Sequence, residues 1–248
     1  MAGEIYHKII EHKAKGKKSL AILIDPDKTR MKDVPELSNF LNQYKPEIIL
    51  VGGSLITSNH LDELIAELKA STQLPVVLFP GNSLHISKKA DGILFLSLIS
   101  GRNPEFLIGQ HVNAAPILKQ AGIEVIPTGY MLIDCGIATT ANYMSNTTPI
   151  PFHKPEIAVC TALAGEMLGM KMIYMDGGSG AAKPISSEMV KKVKENLEIP
   201  LIIGGGIKNG EMAKNAYQAG ADMLVVGTAV ERDNRLLKEI CMARDTFN

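Results

Sequence analysis

Three stretches near the C-terminal end of the 248-residue chain decide its fold: MIYMDGGSG (172–180), PLIIGGGI (200–207) and MLVVGT (223–228). Each is a short, β-branched apolar run that closes on glycine and is followed by a helical pattern. Continuous apolar runs of this kind suit parallel strands buried on both faces. Working outward, the same unit recurs upstream. The eight runs are Leu20–Pro26, Glu47–Gly53, Pro75–Gly81, Gly92–Ser100, Ile123–Tyr130, Met172–Gly177, Pro200–Gly206 and Met223–Thr228. Helical patterns lie between most of them, near 35–44, 60–70, 104–120, 155–169, 186–196, 209–219 and 233–245. Eight alternating units predict an α/β fold, a (β/α)₈ TIM barrel spanning 1–248 as a single domain, with an N-terminal helix over its base. The rival is a doubly wound open sheet, which needs no eighth strand.

Two spacings break the rhythm. Strands three and four are joined only by NSLHISKKAD, about ten residues, at the short limit for a helical crossover. The barrel is therefore expected to be modified, with the helix between strands three and four missing or replaced. Between strands five and six, Leu132–Lys154 is long and rich in Thr, Asn and Pro; loops of this length are usually functional or disordered.

Composition narrows the function. Lys plus Arg equals Asp plus Glu, 26 against 26, so the molecule has no bulk attraction for nucleic acid or an anionic membrane. An anion must be held by local geometry instead. The three cysteines, Cys135, Cys160 and Cys241, are widely spaced with no CxxC pair, which fits reduced cytoplasmic thiols. No run of apolar residues is long enough to span a bilayer, and the charged N-terminal stretch does not read as a signal peptide.

The residues that carry chemistry cluster at strand ends. Asp176-Gly177-Gly178-Ser179-Gly180, Gly204-Gly205-Gly206 and Gly227-Thr228 follow strands six, seven and eight, where barrels of this architecture recurrently bind phosphate. Glycine lets backbone approach an anion closely, and amides there and at helix starts serve as donors. Glycines that merely make tight turns are the alternative. Asp25, after strand one, and Ser54, after strand two, offer hard oxygen donors for Mg²⁺, which fills its remaining positions from phosphate and water; a helix-capping or turn Asp is the alternative for Asp25, and Ser54 taken alone would more often be a capping Ser. Tyr174 and Asp176 share a strand face, so hydroxyl and carboxylate together can orient and deprotonate a substrate alcohol. His85, His111 and Arg102 are weaker candidates. Met167, Met170, Met172 and Met175 read as core packing.

IDPDK, ILVGGS, LFPGN, LSLISGRNP, YMDGGSGA, IIGGGI and VVGTAVERD, in this order, resemble the geranylgeranylglyceryl phosphate synthase family of PcrB-like prenyltransferases, in its archaeal and Bacteroidetes-type branch. The resemblance runs from about residue 20 to 235. It implies a barrel lacking one helix and a Mg²⁺-dependent reaction in ether lipid precursor synthesis. The sn-3 hydroxyl of sn-glycerol 1-phosphate attacks C1 of geranylgeranyl diphosphate and releases diphosphate. By motif, Asp25 and Ser54 hold Mg²⁺ on the diphosphate. The stretch Tyr174, Met175, Asp176, Gly177, Gly178, Ser179 and Gly180, with Gly205, Gly206, Gly227 and Thr228, holds glycerol 1-phosphate. Many relatives carry Glu where this chain has Asp176, which leaves open whether the shorter carboxylate is the base or only orients the hydroxyl. The gap between strands three and four is the expected exit for the prenyl tail. The resemblance also implies a homo-oligomer, dimer or hexamer, and the lipidic product allows transient membrane contact. Two other readings stand beside it: a phosphate-binding barrel isomerase or lyase of small-molecule biosynthesis, and a non-catalytic phospho-ligand-binding scaffold. Prenyl chain length is not legible.

Overall fold

The computed structural model describes residues 3–227 and 234–248. Eight parallel strands close into a barrel in chain order. They are β1 (Ser19–Ile24), β2 (Ile48–Gly53), β3 (Val76–Pro80), β4 (Gly92–Leu98), β5 (Glu124–Leu132), β6 (Met172–Asp176), β7 (Leu201–Gly204) and β8 (Met223–Val226). Closure is made where β8 pairs with β1, Ser19 opposite Met223 through Ile22 opposite Val226. All eight runs read from the sequence are strands, with ends shifted by a few residues.

The strict alternation of side chains divides the apolar residues into two layers. Ala21, Leu50, Val77, Leu94, Ile126 and Ile202 fill the barrel interior. Their strand neighbours, such as Ile22, Ile49, Leu78, Ile93 and Ile203, pack outward against the helices. The helices are α1 (Glu4–Ala14), α2 (Val34–Tyr44), α3 (Leu61–Ser71), α4 (Gln110–Ala121), α5 (Thr140–Ser145), α6 (Pro155–Met167), α7 (Ser187–Lys194), α8 (Gly210–Gln218) and α9 (Asn234–Asp245). A π-helical turn, Glu105–Gly109, leads into α4.

The base is closed as the sequence suggests. Ile5 and Ile9 of α1 belong to the interior cluster, and burying each is worth about 1.5–3 kcal/mol. The Glu124 carboxylate accepts the backbone N–H groups of Ile5 and Tyr6 at 2.8 and 2.9 Å, satisfying first-turn donors that lack a partner within the helix. Elsewhere at the base, Asp222 accepts Lys194 Nζ at 2.5 Å and the Leu201 N–H at 2.9 Å. Arg244 of α9 donates to the Lys45 carbonyl and to Glu47, while Glu47 accepts the Leu20 N–H.

The two irregular connections set up the site. Residues 81–91, between β3 and β4, form turns with no helix. The Gly81 N–H donates to His85 Nδ1 and the Leu84 N–H to Asn82 Oδ1, so the loop is held by its own side chains. One flank of the barrel is thereby left without a helical cover. The 132–154 segment is ordered: Ile133 bridges to Ile150 in parallel, and α5 forms between them. Thr139 and Asn142 cap α5 reciprocally, and Asn103 Nδ2 donates to the Ser145 carbonyl at 2.7 Å. One expectation is corrected: Met167 is 81% exposed at the end of α6, with Leu168 beside it, so it is not part of the core.

Candidate active site

Two adjoining cavities open at the C-terminal ends of the strands. The larger, a cleft of about 750 Å³ with a mixed polar and apolar lining, includes Asp25, Ser54, Asp176, Gly178, Gly205 and Gly227 in its walls. A narrow groove of about 90 Å³ runs into the flank left bare between β3 and β4. Its walls are largely apolar: Phe79, Ile93, Leu96, Leu98, Phe106 and Ala114. Gly53, Ser54, Phe79 and Ala141 line both cavities and so form a common wall.

The β6–β8 side of the cleft is built from glycine turns. Gly178, Gly180, Gly205 and Gly206 all have positive φ. A Cβ on Gly205 would lie 2.7 Å from the Gly178 nitrogen and 2.8 Å from Asp176 Oδ1; one on Gly206 would lie 2.5 Å from the Lys183 carbonyl oxygen. The Gly177 and Gly178 amides are used within the protein, donating to the Gly204 carbonyl and to Asp176 Oδ1. The amides of Gly205 and Gly206 have no acceptor among the described residues. Just beyond them α8 begins, its N-cap Asn209 accepting the Met212 N–H at 2.8 Å. Uncommitted amides beside a helix start form an anion site, and Lys208 on the same wall adds a positive charge.

Asp176 sits at the end of β6 and is 8% exposed. The phenol of Tyr130 donates to its Oδ2 at 2.6 Å and the Gly178 N–H to its Oδ1 at 2.7 Å. Burial raises the pKa of Asp176, and these two donors pull it back only in part. Burial also pushes the phenols of Tyr130 and Tyr174 far up, reinforced by the nearby carboxylate, so both stay protonated. The Cys135 thiol, packed over Gly177, is pushed up to about 12, first by burial and then by Asp176. Asp176 is thus a buried carboxylate among neutral groups, the environment of a tuned base.

Across the cleft, Asp25 Oδ2 accepts Lys28 Nζ at 2.5 Å and Oδ1 accepts the Asp27 N–H at 3.0 Å. Its carboxylate lies close to the end of β2, 3.8 Å from the position a Cβ would take on Gly53. Asp27 accepts the N–H groups of Thr57 and Ser58, at 2.8 Å for each closer contact, and the Thr57 hydroxyl at 2.9 Å. Partial burial pushes the Asp27 pKa up, but these donors outweigh it and hold the carboxyl well below the usual carboxylate range. Asp27 therefore fixes the loop that carries Ser54 on from β2. Among the described residues no three His, Cys, Asp or Glu side chains cluster as a metal cage. One carboxylate and one hydroxyl suit only an ion that draws its other ligands from phosphate and water, as Mg²⁺ does.

Most of the sequence-derived site converges here. Asp25, Ser54, Tyr174, Asp176, Gly178, Ser179, Gly180, Gly205, Gly206 and Gly227 all line the cleft. Met175 does not; it faces the helix layer and is fully buried there. Gly177 lies under Cys135 rather than on the cleft wall. Thr228 lies outside the described residues. Of the weaker candidates, His85 holds the β3–β4 loop, His111 lines the apolar groove, and Arg102 Nη1 donates to the Gly101 carbonyl. Tyr130, Lys28 and Lys208 were not singled out by their sequence context, although Lys28 stands three residues after Asp25.

A family model matches residues 8–244. The chain belongs to the PcrB family. Among its relatives, the geranylgeranylglyceryl phosphate synthase of Chitinophaga pinensis is 52% identical over 98% of this chain and 96% of that protein. The Pyrococcus horikoshii protein of the same name is 42% identical over 92% of this chain and 90% of its own length. The crystal structure of (S)-3-O-geranylgeranylglyceryl phosphate synthase from Thermoplasma acidophilum, in complex with its substrate sn-glycerol-1-phosphate, superposes with a TM-score of 0.92 at 35% identity. That match covers 99% of this chain and all of the other. The eight-strand barrel with one bare flank is therefore the architecture of this PcrB-family chain.

Proposed function

We propose that this chain is a prenyltransferase that joins the sn-3 hydroxyl of sn-glycerol 1-phosphate to C1 of geranylgeranyl diphosphate, forming an ether lipid precursor. One observation carries the reading: a glycine turn with free amides and a buried carboxylate share a cleft that adjoins an apolar groove. A small polar phosphate and a long hydrocarbon are the two ligand classes this pair of cavities suits. A sugar or amino-acid isomerase has no use for the groove, and a scaffold has no use for a buried, tuned carboxylate. The family membership and the names of the relatives favour the same choice.

In this reading the Gly205–Gly206 turn, the start of α8 and Lys208 bind the glycerol phosphate. Asp176 takes the proton of the sn-3 hydroxyl as its oxygen bonds to C1. The C1–O bond to diphosphate breaks with its electron pair, and diphosphate leaves. Much of the rate advantage comes from orientation, since alcohol and allylic carbon are held together away from water. Asp25 and Ser54 would hold Mg²⁺; when bound, it neutralises charge on the departing diphosphate. Phe79, Leu96, Leu98 and Phe106 shelter the tail, each square ångström of buried hydrocarbon contributing about 25 cal/mol.

The reading extends to the protein's surroundings. Exposed Ile157, Met167 and Leu168 on and after α6 suit a contact between copies, in line with a homo-oligomer. Among the described residues no helix is long and apolar enough to cross a membrane, so we read membrane contact as transient, at delivery of the lipidic substrate and product. Cys135, Cys160 and Cys241 are all free thiols, which agrees with a reducing, cytoplasmic setting.

The test is product analysis with labelled glycerol phosphate and geranylgeranyl diphosphate during a Mg²⁺ titration. Ether product that rises with Mg²⁺ and disappears with chelator supports the reading. Turnover indifferent to the ion would remove Asp25 and Ser54 from it.

A further inference from the structure

Tyr130 stands at the junction of the two cavities. Its ring lines the apolar groove, while its hydroxyl donates at 2.6 Å to Asp176 Oδ2, and Asp176 lines the cleft. The strand register brings this about: Tyr130 on β5 pairs with Tyr174 on β6, and Leu132 with Asp176, so the phenol reaches diagonally to the carboxylate. The Tyr130 ring is fixed on two sides, edge-on to Phe79 at 6.0 Å and to Tyr174 at 5.3 Å. Both members of the bonded pair are 8% exposed, so water does not compete for the contact. With the Gly178 N–H on Oδ1, each carboxylate oxygen has one donor, and the plane of the carboxyl group is set.

We propose that Tyr130 is a positioning residue for Asp176: its hydroxyl orients the carboxylate and favours the ionised form that accepts the substrate proton. This inference rests on the prenyl-transfer reading. A hydrogen bond to the charged form of an acid lowers its pKa, against the upward push of burial. The other titratable groups packed against Asp176, Tyr174 from β6 and Cys135 beyond β5, are neutral at pH 7. The charged side chains on the same cleft are Asp25 and Lys28 from the turn after β1, Lys208 from the β7–α8 turn and Glu239 from α9. Among the described residues, Tyr130 is therefore the one side chain whose removal changes the immediate hydrogen bonding of Asp176, because the other donor to it is backbone.

The experiment compares pH–rate profiles of the wild-type enzyme and Tyr130→Phe. The Phe variant keeps the ring between Phe79 and Tyr174 and loses only the hydroxyl. We expect kcat at pH 7 to fall roughly ten- to a hundredfold, the effect of losing one hydrogen bond to a charged group. KM for sn-glycerol 1-phosphate should change less than about threefold, because the phosphate turn is untouched. The acid limb of the kcat profile should move to higher pH. In an Asp176→Asn background the same substitution should cost nothing further, since the partner it acts through is gone. A second variant, Tyr130→3-fluorotyrosine, supplies a stronger donor of nearly the same size and should move the acid limb the other way. An acid limb that stays in place in both variants, or additive losses in the double variant, would overturn the proposal. Absence of product from the wild-type enzyme would instead sink the prenyl-transfer reading, so the two failures are distinguishable.

Discussion

Alanine placed at Gly205 and, separately, at Gly180 provides a graded test of how the glycine turn and the buried carboxylate are built together. Both residues have positive φ, +80° and +77°. A side chain there costs about 1–2 kcal/mol from backbone conformation alone. At Gly180 nothing lies within 4 Å of the added Cβ, so the conformational cost is the whole effect. At Gly205 the new atom would sit 2.7 Å from the Gly178 nitrogen and 2.8 Å from Asp176 Oδ1, inside van der Waals contact with both partners of one hydrogen bond. Overpacking against the Gly177–Gly178 backbone and a hydrogen-bonded carboxylate adds about 1–3 kcal/mol. The sums are about 1–2 kcal/mol for Gly180→Ala and about 2–5 kcal/mol for Gly205→Ala. At roughly 2–4 °C of Tm per kcal/mol for a chain this size, the two melting temperatures should separate by several degrees. Thermal unfolding by circular dichroism measures the difference, and steady-state kinetics then shows whether Gly205→Ala also lowers kcat by displacing Asp176. Equal losses of Tm in the two variants would refute the packing argument.

Other outcomes follow from the same geometry. Because burial raises the Asp176 pKa and the base must be ionised, kcat should fall as pH drops through a value above the ordinary carboxylate range, read from a pH–rate profile. The same sign makes ionisation of Asp176 unfavourable to folding: its contribution to stability is present at low pH and lost as pH rises through the folded-state pKa. Asp176→Asn removes that charge and should lower kcat by roughly 10²–10⁴-fold, and the pH dependence of its Tm should be flatter than that of the wild-type protein over the same range. Arg244→Ala removes the buried cation that the partly buried Glu47 pairs with and should cost about 3 kcal/mol in urea unfolding, with kcat at 25 °C unchanged. Ala114→Phe fills the groove beside Phe106; turnover with geranylgeranyl diphosphate should fall, while binding of sn-glycerol 1-phosphate measured by calorimetry stays the same.

The barrel was legible because strands buried on both faces read as unbroken apolar runs, such as Pro75–Gly81 and Pro200–Gly206. The bare flank was legible from chain length alone, since the ten residues NSLHISKKAD leave little room for a crossover helix. The short helix α5 was not: its capping box runs from Thr139 to Asn142, and Thr and Asn in a Pro-rich segment read equally well as loop. At the cleft, glycine turns and carboxylates announced themselves by residue type and place in the strand. Tyr130 carried no such mark. Its partnership with Asp176 spans 46 residues and depends on the register between β5 and β6, which residue composition does not specify. Met175 shows the opposite: it stands beside Tyr174 and Asp176 along the chain, while the pleat turns its side chain outward into the helix layer. Asp27 was equally unmarked: as the anchor of the loop after β2 it reaches Thr57 and Ser58, some thirty residues on.

The measurement that bears most directly on the whole account is an end-product assay of the purified chain with Mg²⁺, geranylgeranyl diphosphate and either sn-glycerol 1-phosphate or its sn-3-phosphate enantiomer. A cleft that fixes the phosphate on the β7 turn and the reacting hydroxyl at Asp176 has one hand, so ether product and free diphosphate should form from the sn-1 isomer alone. Equal product from both enantiomers, or none from either across a series of prenyl lengths, would contradict it.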